Sequence, residues 1–496
     1  MNGAGHRSCA RHSQGCGVIC KPLVNAPADL PHRTLQVNSI VSPTAAATLV
    51  VAFALLGCAS LPSLDPVRNA SAQRNTAPSV TSAVSQRKGD RAVAALVKRA
   101  GDTLLERHIA NTERLLDAPI TGGNAARLLI DGAQTHAAMF AAIGVARDHI
   151  HLVSYIIEDD EIGARLVRAL AEKRRAGVLV RVMYDSVGSM STPHAFFDRL
   201  RDADIAVCEF NPVNPARVRR GWKINNRDHR KVLIVDGRIG FAGGINISSV
   251  YSSGSFGSGR PRSAQPAPWR DTHIEVRGPA VADLQRNFID SWRAQKCAEL
   301  VDDSNAFPKL ADAGQRAVRI LTGSASQEAP VLYIALLSAF QEAQKSITVT
   351  CAYFVPDPLL MEALTGAARR GVDVRLMLPS FSDFWAPLAA GRSHYTELLS
   401  AGVRIYERKE ALLHAKTASV DGVWSTIGST NLDWRSFIHN EEANVVVFDD
   451  AFGGELNWLF ERDVQHAVEI SSDAWAQRGV GPRLREWLAR RFEYFL

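Results

Sequence analysis

The sequence predicts an α/β protein built from two similar domains in tandem. Three observations lead to this prediction. The chain has 496 residues, more than one ordinary domain needs. A strand–helix–strand pattern occurs twice along it, and a short histidine motif follows each copy. Hydrophobic residues make up 46% of the chain and charged residues 22%, which is typical of a globular protein with a sizeable core.

The internal repeat joins residues 150–183 to residues 347–377. Each segment begins with a β-rich run and passes through an aromatic residue and an acidic turn into a helix. A second β-rich run follows the helix. Gly177 and Gly371 stand where a glycine ends a helix. Because such a unit makes a right-handed crossover between parallel strands, we expect a parallel core sheet covered by helices.

The N-terminal segment predicts export and lipid anchoring. An apolar run from Thr44 to Leu56 is too short to span a bilayer and suits a secretory signal peptide. Its Leu-Leu-Gly end before Cys58 resembles the lipobox of bacterial lipoproteins, in which the cysteine is lipidated; a buried helix ending in a cysteine is the alternative. We therefore expect a signal peptide over residues 1–57 and a lipid-anchored protein of the bacterial cell envelope that faces the periplasm.

Domain limits follow from composition beyond the anchor. Residues 58–90 are rich in Ser, Ala, Asn, Gln and Pro, which predicts a flexible tether. Helical spacing over residues 91–118 predicts one or two helices. We expect a first domain, with these N-terminal helices, at 91–305 and a second domain at 306–496. An odd number of cysteines follows the tether, which allows one disulfide but no disulfide framework. They are Cys208, Cys297 and Cys351.

An H-x-K-x-x-x-x-D motif occurs at the matching position of each copy. The candidate catalytic residues are His229, Lys231 and Asp236 in the first motif and His414, Lys416 and Asp421 in the second. Alternating β-branched residues predict a strand between each His and Asp, and the following Asp-Gly predicts a hairpin turn. Since residues i and i+2 of a strand share a face, each His lies beside its Lys. Because Asp is favoured in turns, we interpret both aspartates as supports of the motif loops.

The residue types point to phosphodiester chemistry. Each returning strand ends in small residues and an asparagine, Asn246 or Asn431, so that substrate can approach. With Lys231 and Lys416, these amides are candidates to bind the non-bridging phosphate oxygens. One neutral histidine can attack phosphorus while a second, protonated histidine gives a proton to the leaving oxygen, so both motifs should share one site. We expect no metal or other cofactor, because the lysines supply the positive charge.

The motifs and their flanks resemble the phospholipase D superfamily, and among its branches the bacterial cardiolipin synthases. The resemblance runs from about residue 120 to 470 and rests on DHRKVLIVDGRIGFAGGINIS, WRDTHIEVRGPAV, LLHAKTASVDGVWSTIGSTNLDWRSF and NEEANVVV. It implies two α/β/α sandwich domains with pseudo-twofold symmetry, one active site at their interface and a covalent phosphohistidine. It also implies His229 as nucleophile and His414 as general acid, then base, with the reverse assignment still open.

The resemblance further implies an acidic residue after each motif that orients a histidine. Aligning the strands after the two asparagines matches Asp271-Thr-His-Ile with Glu442-Ala-Asn-Val. Asp271 and Glu442 are therefore our candidates to hold the imidazole tautomers. Ordinary acids at a strand edge are the alternative.

The function we expect is a phosphatidyltransferase of the cardiolipin synthase type, with phospholipid substrates, above all phosphatidylglycerol, at a membrane surface. A phospholipase D-type or nuclease-type hydrolase is the alternative within enzymes, and a lipid- or nucleic-acid-binding lipoprotein with a degenerate site is another. The intact His, Lys and Asn argue against a degenerate site. A formal net charge of only +6 disfavours nucleic acid. The basic, aromatic C-terminus (RLREWLARRFEYFL) fits either a membrane contact or a packed amphipathic helix.

Overall fold

The computed structural model describes most of the chain beyond residue 80. The described ranges are 81–101, 103–113, 115–116, 118–214, 225–252, 267–298, 305–325 and 330–496. The predicted signal peptide, the lipidation site Cys58 and most of the predicted tether lie outside the described residues. These predictions therefore stay predictions.

Helix α1 (Ala83–Ala100) begins inside the predicted tether. The side chain of Ser82 caps the helix by accepting a hydrogen bond from a backbone N–H of the first turn. Gly89 lets the helix approach the backbone of Ile120 so closely that a Cβ would collide with it. The tether prediction is therefore wrong for residues 83–90, because tertiary packing stabilises a helix that the polar composition did not suggest.

The described residues contain sixteen strands in one sheet. The first half contributes β1 (Thr121–Ile130), β2 (His149–Ser154), β3 (Leu179–Asp185), β4 (Ala206–Phe210), β5 (Arg227–Asp228), β6 (Lys231–Val235), β7 (Ile239–Gly243) and β8 (Thr272–Arg277). The second half contributes β9 (Arg316–Gly323), β10 (Ser346–Cys351), β11 (Asp373–Pro379), β12 (Arg404–Arg408), β13 (Lys416–Val420), β14 (Trp424–Gly428), β15 (Asn440–Phe448) and β16 (Ala467–Glu469).

Helices flank this sheet along the whole described chain. After α1 come α2 (Leu105–Thr112), α3 (Asp131–Val145), α4 (Glu161–Arg175), α5 (His194–Asp202) and α6 (Val281–Ala294). The second half has α7 (Val331–Glu342), α8 (Pro358–Arg369), α9 (Trp385–Arg392), α10 (Tyr395–Ser400), α11 (Trp434–Ile438), α12 (Asp450–Val464), α13 (Ser472–Ala476) and α14 (Val480–Arg490).

The strand order repeats about a central pair, β1 and β9, which lie antiparallel. Outwards from β1 follow β8, β7, β6, β2, β3 and β4. Outwards from β9 follow β15, β14, β13, β10, β11 and β12, with β16 at the edge. The two halves are therefore tandem copies of one domain, related by a pseudo-twofold axis between β1 and β9, as the sequence predicted.

The expected parallel sheet is present only in part. In each half the three outer strands of the repeat, β2–β3–β4 and β10–β11–β12, are parallel. The motif strands β6 and β13 pair antiparallel with β2 and β10, and the remaining pairings along the main strand order are antiparallel as well. The prediction was wrong for these strands: β6–β7 and β13–β14 are hairpins, and the two strands that a tight turn joins run antiparallel.

Helices cover both faces of each half. In the first half, α3, α4 and α5 pack on one face around Leu166 and Phe196, and α6 packs on the other through Phe288. In the second half, α7, α8 and α10 cover one face, while α12 brings Phe460 against the other. Each half is thus an α/β/α sandwich, the architecture that places the carboxyl ends of the parallel strands at one common edge.

The N-terminal helices contact both halves: α1 packs on the β1 region of the first half and on β9, and α2 packs on α7 of the second half. Leu96 and Leu105 belong to the same buried cluster as Leu336 of α7. Nδ1 of His108 lies 3.1 Å from Oγ of Ser338, also on α7. The assignment of these helices to the first domain stays a prediction; α7 is apolar on nearly every side (VLYIALLSAF) and needs cover away from the sheet, which α2 provides.

A disulfide links β4 to the segment that follows α6. Cys208 and Cys297 are joined, with their Cα atoms 5.7 Å apart, and Cys351 is a free, buried thiol. The bridge that the cysteine count allowed is thus present. The predicted boundary between residues 305 and 306 falls between α6 and β9 and stays a prediction.

Candidate active site

Each motif lies where a motif strand begins, beside the carboxyl end of a parallel strand. Lys231 opens β6 and pairs with Ser154, the last residue of β2. Lys416 opens β13 and pairs with Cys351, the last residue of β10. Ligand sites of α/β sheets lie at the carboxyl ends of parallel strands, so the topology alone places both motifs at the functional edge of the sheet.

The two histidines are held by acids from the opposite halves. Nδ1 of His229 lies 3.0 and 3.2 Å from the two carboxylate oxygens of Glu442, which belongs to the second half. Nδ1 of His414 lies 2.7 Å from Oδ2 of Asp271, which belongs to the first half. The predicted orienting residues therefore stand where their role requires, and each histidine–acid pair contains one residue from each half.

Two backbone hydrogen bonds place each motif histidine beside the acid of the opposite half. The backbone N–H of His229 donates to the carbonyl of Glu441 at 2.9 Å, next to a parallel pairing of β5 with β15. The backbone N–H of His414 donates to the carbonyl of Arg270 at 2.8 Å, beside a parallel bridge between Arg270 and Leu413. Each motif is thus aligned with the residue that precedes the other half's acid, so the two motifs form one site.

Both acids are ionised at neutral pH. Burial alone would raise the pKa of Glu442, but His229, Lys231 and a hydrogen bond from Ser429 lower it to about 2. Burial also opposes ionisation of Asp271, yet His414 and nearby positive charge keep its pKa below the ordinary value. A carboxylate can only accept at Nδ1, so each neutral histidine carries its proton on Nδ1 and presents a basic Nε2.

The histidines themselves are buried and resist protonation. Burial lowers the pKa of His229 to about 4, in spite of the opposing charge of Glu442. Burial and Lys416 lower the pKa of His414. The His229 ring is therefore neutral at pH 7, which a nitrogen nucleophile requires.

Each motif lysine lies beside its own motif histidine. Each ammonium group donates to the backbone carbonyl of its own motif histidine: Lys231 to His229, and Lys416 to His414. Burial lowers the pKa of Lys231 to about 7, and the positive charge of Lys416 contributes. Burial likewise lowers the pKa of Lys416. Two buried cations that repel each other form a site that favours an anion such as a phosphodiester.

Aromatic rings enclose the two imidazoles. The Tyr155 ring stands edge-on to His229 with ring centres 5.1 Å apart, and Nζ of Lys231 lies 5.1 Å from the same ring. Rings of Tyr251 and Trp269 lie 5.8 and 5.4 Å from that of His414. Neither Tyr251 nor Trp269 was predicted from the sequence as a site residue. Their signal was their position in the stretch between Asn246 and Asp271, which is longer than the matching stretch between Asn431 and Glu442.

The asparagines lie differently in the two halves. Oδ1 of Asn246 accepts from the backbone N–H of Ile156 at 3.0 Å, and Nδ2 donates to the Tyr251 hydroxyl at 2.7 Å. Within the described part of the chain, Oδ1 of buried Asn431 has no hydrogen-bond partner. An amide nitrogen carries two donors, so each Nδ2 retains the capacity to bind phosphate. Their phosphate-binding roles stay predictions.

The aspartates of the motifs lie far from the histidines. Asp236 accepts backbone hydrogen bonds from residues 147–149, and Asp421 accepts them from Leu104 and residues 344–346. Both stand at the far end of a five-residue strand, about 17 Å along the chain from the lysine. Their assignment as catalytic residues is corrected: as the turn interpretation proposed, they support the loops that precede β2 and β10.

Space for the acid in the first half depends on a glycine. A Cβ on Gly244 would collide with the Asp271 carboxylate, whereas the matching residue of the second half, Ser429, donates its hydroxyl to Glu442. Behind Asp271, the Arg270 guanidinium donates to Asp463 of α12 at 3.0 Å, with both side chains buried. This ion pair, which no sequence pattern indicated, ties the acid-bearing strand to the second half.

The fold and the site together define a two-motif phosphodiester enzyme, and comparison with known proteins agrees. The family described as "Cardiolipin synthase, PLD-like domain" matches residues 139–253 and 336–464. A cardiolipin synthase of Geobacillus kaustophilus is 36% identical over 380 residues, covering 76% of this chain and 73% of that protein. Cardiolipin synthase 1 of Bacillus cereus is 33% identical over 397 residues, covering 78% and 76%.

A solved structure shares the fold. The crystal structure of phosphatidylserine synthase from Haemophilus influenzae superposes with a TM-score of 0.59 at 14% identity, covering 79% of this chain and 99% of that one. At this identity the likeness concerns the fold alone. On the sequence relatives, the chain belongs to the cardiolipin synthase family of the phospholipase D superfamily. It is therefore a phosphatidyltransferase, and the resemblance noted in the sequence is confirmed.

Proposed function

We propose that the enzyme takes a phosphatidyl group from one phosphatidylglycerol, holds it on His229, and transfers it to the glycerol hydroxyl of a second phosphatidylglycerol. One observation supports the proposal above all. Each motif histidine binds an acid of the opposite half through Nδ1, so that both imidazoles present Nε2 in one site together with two lysines. The names of the sequence relatives, cardiolipin synthases, support the same product.

In the first step, Nε2 of neutral His229 attacks phosphorus. The P–N bond forms as the bond to the glycerol oxygen breaks, and protonated His414 gives its proton to that oxygen. The Glu442 carboxylate stabilises the positive charge that develops on the attacking ring. Lys231 and Lys416 bind the non-bridging oxygens, whose charge concentrates in the transition state.

In the second step, His414 reverses its role. Having lost its proton, it accepts one from the hydroxyl of the incoming phosphatidylglycerol, whose oxygen attacks phosphorus. The P–N bond breaks, cardiolipin leaves and His229 is neutral again. Asp271, at 2.7 Å from Nδ1 of His414, stabilises this ring whenever it is positively charged.

Two features favour His229 as the nucleophile over the reverse assignment. Its pKa, lowered by burial to about 4, keeps the ring unprotonated in the resting enzyme. The contact of His414 with its acid is shorter, 2.7 Å against 3.0 Å, which favours the imidazolium form that a general acid needs. An anionic phosphodiester in the site raises the pKa of both rings and so favours the protonated form of His414.

Hydrolysis is the competing outcome, and the aromatic side chains around the site disfavour it. The rings of Tyr155, Tyr251 and Trp269 lie within 5.8 Å of the two imidazole rings, where they reduce the space for water beside a phosphohistidine. The test is to incubate the purified enzyme with phosphatidylglycerol and to separate the lipid products. Cardiolipin plus glycerol supports transfer, phosphatidic acid would show hydrolysis, and no turnover would refute both lipid activities.

We also propose that the protein is anchored in the cell envelope by a lipid on Cys58 and faces the periplasm. The Cys208–Cys297 disulfide supports an oxidising compartment. Among helices in the described ranges, none is both long and apolar enough to cross a bilayer. Mass spectrometry of the mature protein should find a diacylglycerol group on Cys58, and an intact, unmodified N-terminus would refute this anchor.

A further inference from the structure

Exposed apolar side chains gather where the second half borders the site. We call them the mouth surface. Its members come from the segment between β11 and α9 and from the C-terminal helix with its last turn: Phe381, Phe384, Trp385, Leu484, Trp487, Leu488, Phe492 and Phe495. Trp385 is 59% exposed and Trp487 is 53% exposed, although large apolar groups of this size are costly to leave in water.

The mouth surface begins at the wall of the active site. Tyr353, the counterpart of Tyr155, donates its hydroxyl to Asp383 at 2.6 Å, and Asp383 stands between Phe381 and Phe384. The negative charge of Asp383 is close enough to Lys416 to raise the pKa of that lysine against the effect of burial. The segment that carries the aromatic residues is thus bonded to the site that must receive a lipid.

Helix α14 packs beside this segment, against α9. Ala489, on one face of the helix, packs with Ala389 and Ala390 of α9. The same buried cluster contains Val355, two residues after Tyr353. The opposite face leaves Trp487 and its apolar neighbours in solvent. The C-terminus is thus a packed amphipathic helix, one of the two alternatives that the sequence left open: one face is packed, and the other is apolar and uncovered by the described chain. The membrane contact, the other alternative, stays a prediction.

Charge around α14 is basic. Its exposed arginines are Arg483, Arg485, Arg490 and Arg491. The acids of the segment are engaged: Glu486 is ion-paired with Arg478, and Glu493 lies 3.2 Å from Nε2 of His394. The guanidinium of Arg491 lies over the Trp487 ring at 4.9 Å. Surfaces that enter the headgroup layer of anionic membranes typically combine exposed tryptophan and phenylalanine with neighbouring arginines.

We propose that the mouth surface docks on an anionic phospholipid bilayer and so presents the active site to the headgroups. This inference rests on the proposed function, because a lipid substrate must leave the bilayer where the enzyme meets it. A second copy of the chain is the competing occupant. It fits less well, since an interface that pairs this surface with itself would bring the arginines of both copies together.

The test uses the full chain with Cys58→Ser, so that no lipid anchor holds it to the membrane. Binding to equimolar phosphatidylglycerol–phosphatidylcholine vesicles is measured by flotation for the parent, for Trp385→Ser/Trp487→Ser, and for Trp458→Ser. Trp458, on α12, is the matched control, because it is 59% exposed like Trp385. We expect the double variant to lose about tenfold in affinity, equivalent to about 1.4 kcal/mol, and the control to bind like the parent.

Activity measurements distinguish a defect in membrane docking from a defect in the chemical reaction. Turnover of a short-chain phosphatidylglycerol, supplied as monomers, should be equal in the parent and the double variant, whereas turnover of vesicle lipid should fall with binding. Unchanged vesicle binding by the double variant overturns the proposal, and so does a change from dimer to monomer in sedimentation without weaker vesicle binding. Selective loss of vesicle binding without any lipid turnover supports the surface and refutes the proposed function instead.

Discussion

Glu442→Gln tests whether the charge of an acid that contacts the histidine of the opposite half is needed for catalysis. The Glu442 carboxylate is fully buried and accepts from Nδ1 of His229 at 3.0 and 3.2 Å. Glutamine keeps the shape of the side chain and removes its charge. A buried hydrogen bond to a charged group contributes about 1.5–3 kcal/mol. With about 1.36 kcal/mol per factor of ten, kcat/KM should therefore fall by about ten- to a hundredfold.

The pH profile distinguishes this effect from a general loss of structure. Burial lowers the pKa of Lys231 to about 7 and that of His229 to about 4, and the charge of Glu442 opposes both shifts. Without that charge both pKa values fall further, so both limbs of the kcat/KM profile move to lower pH. The alkaline limb is the one to follow: on it Lys231 loses the positive charge that binds phosphate, and His414 loses the proton that the leaving oxygen needs.

The assay is the conversion of phosphatidylglycerol by purified variants across the neutral and alkaline range, with the folded fraction checked by circular dichroism. Glu407→Gln is the matched control. Glu407 is also a buried carboxylate of the second half, but Arg392 binds it at 2.9 Å and no motif histidine contacts it. A Glu442→Gln variant that keeps the original alkaline limb would show that the Glu442 charge does not set the charge state of the site. An equal shift in Glu407→Gln would do the same.

Three further expectations concern other parts of the site. Gly244→Ala should push the Asp271 carboxylate away from His414 and lower kcat about tenfold in a lipid-product assay. In the unchanged enzyme, kcat/KM should fall as the pH rises through about 7, where Lys231 loses its proton. Asp421→Asn should lower the free energy of unfolding by about 1–3 kcal/mol in urea titrations but keep the activity per folded molecule, because four backbone N–H groups lose a charged acceptor.

Each of these expectations has a contrary outcome. Gly454→Ala is the control for the first, since a Cβ there would meet no atom within 4 Å; equal activities of the two variants would contradict the steric argument. A kcat/KM that stays constant well above pH 7 would show that the lysine charge is not needed. An Asp421→Asn variant that is stable but inactive would restore the catalytic assignment of that residue.

Local signals were sufficient for the motif strands. The alternation between His229 and Asp236 and the Asp-Gly turn depend on neighbours in sequence, and the structure has the strand and the turn there. The repeat indicated two halves for the same reason. It could not indicate that β1 and β9 join the two sheets into one, because that pairing unites residues far apart in the chain.

The crossing of the acids lay beyond sequence reasoning. Alignment of the two copies identified Asp271 and Glu442, but symmetry leaves open whether each acid serves its own motif or the other one. That choice is made by the backbone bridges of His229 to Glu441 and of His414 to Arg270, which form only when the two halves meet. For α1, packing of the helix on the β1 region similarly outweighed a polar composition.

The most direct test of the account is to trap the covalent intermediate. Enzyme mixed with short-chain phosphatidylglycerol is quenched during turnover, and its peptides are examined by mass spectrometry. We expect a phosphatidyl group on the peptide that contains His229, absent when the substrate is withheld or when His229→Ala is used. A phosphatidyl group on the His414 peptide, or cardiolipin formation by the His229→Ala variant, would contradict it.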